Sequence, residues 1–408
     1  MPEHPPHPAI KPALGLFEFV CLMALMTSLV ALSIDAMLPA MNQIGEVLGA
    51  ESQQQVHLIV SLFFIGMAVG QLFFGPFADA HGRRATILVG MLIFACGTLV
   101  CMYASTMNEM LVGRVIQAIG VSGPRIAAMA VIRDQFSGDA MARVMSFIMV
   151  VFIFVPMIAP LIGQTVLLWF SWQHIFALFL IVAVIAVAWF FARQPETLPK
   201  DRRQAFSFAT FFRSLRFILT HREVMGYSLA MGFIFGAFLA YLSASQTIFQ
   251  SIYQTGEYFP LIFALLAGSI GLASFFNGTL VMRLGMRHLC QIALVGSVSF
   301  SLILLAVVMF YSGLPPLAAF ITLLFINFFF IGVLFGNLNA MAMQPLGDMA
   351  GLGAAIIGSL SSLLSVPIAT LVDAFLTHDV IPIAAGFVIF CGLAFASVRW
   401  AEIPTTIE

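Results

Sequence analysis

Apolar runs of 21 to 30 residues recur along this chain, broken only by short polar segments, and nothing else restricts its fold so severely. A helix crossing a bilayer needs about 20 mostly apolar residues, and it must bond every backbone N–H and C=O internally once water is gone. Twelve such runs are expected to be spans. They lie near 14–38, 56–77, 84–104, 107–131, 142–167 and 172–192, then 224–247, 257–281, 287–311, 315–338, 345–374 and 379–399. Only 9% of the residues are charged and 61% are hydrophobic, whereas a soluble chain carries roughly a quarter charged. A soluble enzyme, a disordered protein and a disulfide-stapled secreted domain are thereby excluded. The partner is the lipid bilayer, and a net charge of −1 offers nothing to nucleic acid.

Cys21, Cys96, Cys101, Cys290 and Cys391 all fall in apolar stretches, with no C-x-x-C and no His at metal-ligand spacing. They read as small buried apolar residues, and no metal site is expected. The first run is too long for a signal-peptide core and lacks a small-residue cleavage site, so it is expected to be retained.

Lys and Arg set the orientation. With both termini cytoplasmic, the inner segments carry Lys11, Arg83, Arg84, Arg133, Arg143, Arg193, Lys200, Arg202, Arg203, Arg213, Arg216, Arg222, Arg283, Arg287 and Arg399. The outer loops carry no Lys or Arg, only acids such as Glu46, Glu51, Glu257 and Asp379. Arg114 and Arg125 fall inside the fourth span. The longest inner segment divides the chain into a first six-span bundle (1–193), a cytoplasmic linker (194–223) and a second six-span bundle (224–408). Within the linker, Phe and Leu interleave with Arg213 and Arg216, a pattern that suits a helix lying in the membrane interface. A plain connecting role is the simpler reading.

The halves repeat. Gly75, Gly82 and Arg84 after the second span align with Gly278, Gly285 and Arg287 after the eighth, at an offset of 203 residues. Both copies face the same side, which makes this a parallel repeat of six-span halves. Met282 stands where the first copy has Asp79.

The stretch Gly75-x-x-x-Asp79-x-x-Gly82-Arg83-Arg84 resembles the inner-loop gating signature of major facilitator transporters, with Ala80 where a basic residue is usual. Leu111-Val-Gly-Arg114-Val-Ile-Gln117-Ala-Ile-Gly120 is similar to the Arg-centred motif of proton-coupled members. Pro156-Met-Ile-Ala-Pro160-Leu-Ile-Gly163 is similar to the antiporter motif of exporters. With Ile34-Asp35-Ala-Met-Leu-Pro39, Val131-Ile-Arg133-Asp134, Trp169-Phe-Ser-Trp172 and the linker Pro195-Glu-Thr-Leu-Pro199, the chain resembles the Bcr/CflA branch of drug:proton antiporters over nearly its whole length. The resemblance implies an all-α protein of twelve transmembrane helices in two pseudo-symmetric bundles. It also implies a bacterial inner-membrane exporter of drug-like small molecules that is driven by protons and needs no cofactor. One chain carries both halves, so a monomer is expected.

An ionisable group within a span is costly enough to be a functional hypothesis by default. The candidates are Asp35 in the outer half of the first span, Arg114 and Arg125 in the fourth, and Asp373 near the outer end of the eleventh. At 100° per residue, Arg114 and Arg125 share one stripe, with Gln117 beside it. Burial favours the neutral form of a carboxyl group and a guanidinium favours the charged one, so Asp35 near Arg114 is suited to gaining and losing protons. Two plainer roles stay open: Asp35 as a helix cap at the outer interface, and Arg114 as a structural residue bonded to backbone carbonyls. Asp373 reads as interfacial. Pro156 and Pro160 each remove a backbone hydrogen bond, and with Gly163 they suit a kinked helix that its neighbour approaches closely. Phe63, Phe64, Tyr241 and Phe335 are candidates for an apolar cavity, and Asn337, Asn339 and Gln344 for neutral polar contacts.

Three functional classes compete. A proton-coupled exporter of amphiphilic drugs and a carrier of one metabolite (a nucleoside, amino acid or chelate) share the same mechanism. A membrane-embedded enzyme has little support, because no H-E-x-x-H, no phosphate-cradling loop and no Ser–His pair at a plausible depth occurs. A single intramembrane acid in the first half favours breadth, as does the resemblance.

Overall fold

The computed structural model describes residues 14–136, 138–203 and 207–403. The Pro-rich stretch with Lys11, linker residues 204–206, and the side chains of Arg143 and Arg202 lie outside the described residues. The chain forms α1 (Leu16–Asp35), α2 (Met41–Val47), α3 (Gln53–His81), α4 (Arg83–Met102), α5 (Met107–Gln135), α6 (Gly138–Trp169) and α7 (Gln173–Arg193). It continues through α8 (Phe208–Thr220), α9 (Arg222–Gln246), α10 (Phe259–Leu284), α11 (Met286–Phe310), α12 (Leu317–Met343), α13 (Ala350–Asp373) and α14 (Ile381–Glu402). No strand occurs among the described residues. Among the described residues, eleven helical stretches are long and apolar enough to cross a membrane, and α6, with 32 residues, is the twelfth long helix.

Three boundaries differ from expectation, each for a local reason. Pro39 sits in a 3₁₀ turn, Leu38–Ala40, so the first span ends its regular helix at Asp35 and resumes as α2. The seventh span runs past Gln246 into a π-helical turn, Thr247–Ile252. Before α13 the chain makes a 3₁₀ segment, Gln344–Met349, that the apolar pattern alone does not reveal.

The repeat appears in the packing. In the first half α4 packs on α5, α3 on α5, α1 on α6 and α4 on α7. In the second half the matching contacts are α11 on α12, α10 on α12, α9 on α13 and α11 on α14. The halves meet through α3 against α13 and α6 against α10, so each contact joins the second long helix of one half to the fifth of the other. This is the two-bundle arrangement expected from the sequence. Between α4 and α5 the backbones come close enough that a Cβ at Gly97 would strike the Gln117 backbone, and one at Gly120 the Phe94 backbone. Helix association in lipid depends on such small-residue seams, because apolar burial drives little there. Cys96 is exposed on the outer face of α4, against the expectation of burial, while Cys101, Cys290 and Cys391 are buried.

Gly82 (φ 96°, ψ 167°) and Gly285 (φ 77°, ψ 152°) make the two equivalent turns in one backbone region. That region is essentially reserved for glycine, at a cost of roughly 1–3 kcal/mol for other residues. A Cβ at Gly82 would also press on the Glu196 carboxylate, whereas one at Gly285 meets nothing. Gly82→Ala is therefore expected to lower the thermal unfolding midpoint in detergent more than Gly285→Ala. Equal shifts would show that the docked linker adds nothing at this turn.

Candidate functional site

Asp35 is the last residue of α1 and is only 5% exposed. Among the described residues no donor bonds its carboxylate and no cation pairs with it. It does not cap its helix. Behind it, α6 comes so close that a Cβ at Gly163 would collide with the Ala36 carbonyl oxygen. The sequence motif Pro156–Pro160–Gly163 thus lies against the chain at Asp35, and α6 stays helical through both prolines.

Arg114 is fully buried in α5 and reaches three elements. Nε donates to the Ile59 carbonyl of α3 at 3.2 Å, and Nη1 to the Ser33 carbonyl in the last turn of α1 at 3.1 Å. Carbonyls in a final turn lack intrahelical partners, and a cation suits the negative end of a helix dipole. The guanidinium lies over the Phe63 ring, 4.3 Å from its centroid. Nη1 also donates to Gln117 Oε1, and Gln117 Nε2 donates to Thr98 of α4. Gln117 therefore acts as a buried link between α4 and α5. Arg114 Nη2 has no partner among the described residues; the guanidinium holds the carbonyl two residues before Asp35 and does not pair with the Asp35 carboxylate. Arg125, about three turns along the same stripe, turns toward α3, where its Nη1 lies 3.4 Å from Met67 Sδ.

Aromatic rings join the halves beside this site. Phe64 of α3 meets Phe235 of α9 edge-on at 5.1 Å, and the chain of contacts continues through Phe335, Phe238 and Tyr241 to Phe328. The Tyr241 hydroxyl is buried and unbonded, within electrostatic reach of Asp35. Asn337 bonds Asn277 across α12 and α10 at 2.7 Å, inside the second half. Asn339 is exposed and away from these contacts.

The signature at the arginine-rich end forms a separate network. Arg83 donates to Asp79 at 2.9 Å and to Asp134 at 3.0 Å, and Thr197 donates to the same Asp134 oxygen that takes Arg83 Nε. Glu196 accepts the backbone N–H groups of Arg83 and Arg84 at 2.9 and 3.0 Å, capping α4 with a linker carboxylate. Arg84 donates to the Phe191 carbonyl and lies over its ring. Gly75 sits where α3 faces Ala355 of α13. Met282, in the place of Asp79, is exposed, so the second half lacks this network.

At the opposite end, where the loops carry no Lys or Arg, the structure reveals what the sequence did not. His57 of α3 is buried, with Nδ1 against Asp373 Oδ1 of α13 and Nε2 2.8 Å from Thr247 Oγ1. Asp373, expected to be interfacial, stands at the end of α13, 4% exposed and paired across the halves. Gln53 donates to Thr247, the Asn42 backbone N–H donates to Gln246, and Gln54 donates to the Leu376 carbonyl, all across the same seam. His57 and Asp373 are 316 residues apart, and no local pattern links them.

Comparison with known proteins gives a consistent outcome. A profile of the Major Facilitator Superfamily matches residues 23–370. An uncharacterized MFS-type transporter, YdgK of Bacillus subtilis, is 31% identical over 86% of this chain and 87% of its own length. A bicyclomycin resistance protein homolog of Haemophilus influenzae is 30% identical over 84% and 85%. The multidrug resistance protein MdtL of Salmonella typhimurium is 29% identical over 59% and 61%. The Escherichia coli xylose transporter XylE, in a partially occluded inward open conformation, superposes with a TM-score of 0.73 at 13% identity, covering 96% of this chain and 98% of that one. At that identity the likeness concerns the fold alone.

Proposed function

The chain belongs to the Major Facilitator Superfamily, and from that premise we propose that it is a proton-coupled antiporter that exports small amphiphilic drugs by alternating access. The carrying observation is Asp35: a buried carboxyl group without a bonding partner, beside a seam of aromatic rings shared by both halves. A carboxylate so placed is expensive and a neutral acid is not, so this arrangement suits the protonated form. In this reading deprotonation calls for a cation, and the candidate is Arg114, which holds the carbonyl two residues before Asp35 and keeps Nη2 without a partner among the described residues. The rings that meet at about 5 to 6 Å along the seam between the halves, in this reading, part during the cycle and offer a flat apolar molecule a path without fixed polar partners. The relatives named for bicyclomycin and multidrug resistance favour drugs as cargo.

In this reading the protein lies in a bacterial inner membrane with its arginine-rich end and both termini in the cytoplasm. One proton entering down ~150 mV supplies roughly 3.4 kcal/mol. That sustains a gradient of roughly 300-fold for a neutral substrate at 1.4 kcal/mol per decade. The test is proton flux in inside-out vesicles whose lumen respiration keeps acidic, challenged with neutral, cationic and zwitterionic drugs. Drug-evoked alkalinisation of the lumen is the expected result. Silence across the panel from expressed protein would exclude drug:proton antiport and turn the search to a single metabolite.

A further inference from the structure

We propose that His57 and Asp373, steadied by Thr247, form a second proton-binding site that clasps the two halves at the arginine-free end and releases them when its proton count changes. The inference rests on the alternating-access part of the proposed function and not on Asp35 as carrier. His57 lies on the second turn of α3, after Ser52 caps that helix by accepting the Gln55 N–H. Asp373 is the last residue of α13. A charge on either partner faces the unfavourable end of its own helix dipole, so each is placed to be compensated by the other. Thr247 reaches His57 from a π-helical turn, a rare geometry that is frequent at functional positions.

The order carboxylate, imidazole, hydroxyl resembles a hydrolase triad. Here, however, the hydroxyl oxygen already accepts from Gln53 and is buried between the halves, so it holds rather than attacks. With one proton shared between the ring and the carboxylate, the pair is neutral overall and both ring nitrogens are bonded. A second proton leaves an imidazolium without its anion. Loss of the shared proton leaves a carboxylate without its cation. Either net charge is costly between the halves, and the cost is relieved when they part and water enters.

The other titratable groups at this mouth do not substitute for either partner. Glu46 on α2, Glu51 before α3, Glu257 after α9 and His378 after α13 are exposed, and none bonds the pair. Asp379 takes the Ile381 N–H. On α5, Glu109 is held in its own capping box and Arg114 by Ile59 and Ser33. Deeper in, Asp35 of α1 and Tyr241 of α9 make no bond to the pair.

The experiment measures the distance between spin labels at Val47→Cys and Thr377→Cys, two exposed positions on opposite sides of the mouth, in a cysteine-free background reconstituted in nanodiscs. Without substrate, the open fraction is expected to rise at both acid and alkaline pH around a closed minimum. Asp373→Asn is expected to lose the alkaline rise and keep the acid one. His57→Gln combined with Asp373→Asn, which keeps an amide–amide bond, should show neither. At a limb that is lost, the open-to-closed ratio should differ from wild type at least tenfold, or about 1.4 kcal/mol. A pH-independent distance in the chain with native His57 and Asp373 would overturn the proposal. So would an unchanged profile in the double variant. Failure of the antiport reading would appear instead as absent drug-evoked flux in vesicles, with this distance profile intact.

Discussion

Asp35→Asn is expected to abolish drug-evoked proton flux, reducing it to the level of vesicles that lack the protein, while leaving the fold and drug binding in place. Asn matches Asp in shape but cannot take up a proton, so the variant mimics the protonated carboxyl group permanently. No hydrogen bond is lost, because the carboxylate accepts none among the described residues. Burying an amide also costs less than burying an ionised carboxyl group, so the unfolding midpoint should stay level or rise. Drug quenching of intrinsic fluorescence should persist and lose its pH dependence. Asp35→Glu should keep partial flux, since a longer acid still titrates but carries its carboxyl group away from the position that a buried Asp35 holds. Undiminished flux from Asp35→Asn would remove Asp35 as the carrier and leave His57 and Asp373 as the next pair to test.

The contrast between Asp35 and His57 shows what a single chain reveals before it folds. Asp35 and Arg114 stand out because each interrupts a long apolar run, and interruption is a local signal. The spans are legible for the same reason, and the half-chain repeat because each of its copies is a local motif. His57 lies at the polar edge of its run, where a histidine costs nothing, and only the docking of α13 onto α3 buries it. Asp373 reads as interfacial for the same reason. Gln117 is legible as polar but not as spent, because its partners Arg114 and Thr98 lie on either side of an α4–α5 seam that only close packing defines. The Glu196 cap on α4 is likewise invisible in sequence, since linker and helix start are 113 residues apart.

Arg114→Met is expected to abolish transport with little loss of stability, and the pairing of those two outcomes separates its possible roles. As a purely structural residue, Arg114 would tie α1, α3 and α5 together through Ser33, Ile59 and Gln117. Removing it would then resemble breaking a buried charged network, at about 3–5 kcal/mol. Yet no anion bonds this guanidinium, and Nη2 bonds nothing. The desolvation of an unpaired cation, several kcal/mol, is therefore carried by three hydrogen bonds and one ring contact. Methionine removes that burden and fills similar volume. It leaves Gln117 Oε1 and the last-turn Ser33 carbonyl unsatisfied at about 1–3 kcal/mol each, while Ile59 lies within α3 and keeps its helix. The two sides nearly cancel, so the unfolding midpoint should move by no more than about 2–4 °C. Transport should still fail, because a deprotonated Asp35 then has no cation to receive it. Arg114→Lys keeps the charge but has neither the fork to reach Ser33 and Ile59 together nor the plane to lie over Phe63, so it should restore flux only weakly. A midpoint drop beyond about 10 °C in Arg114→Met, or full flux in it, would assign Arg114 to the scaffold and take the proton-coupling role from it.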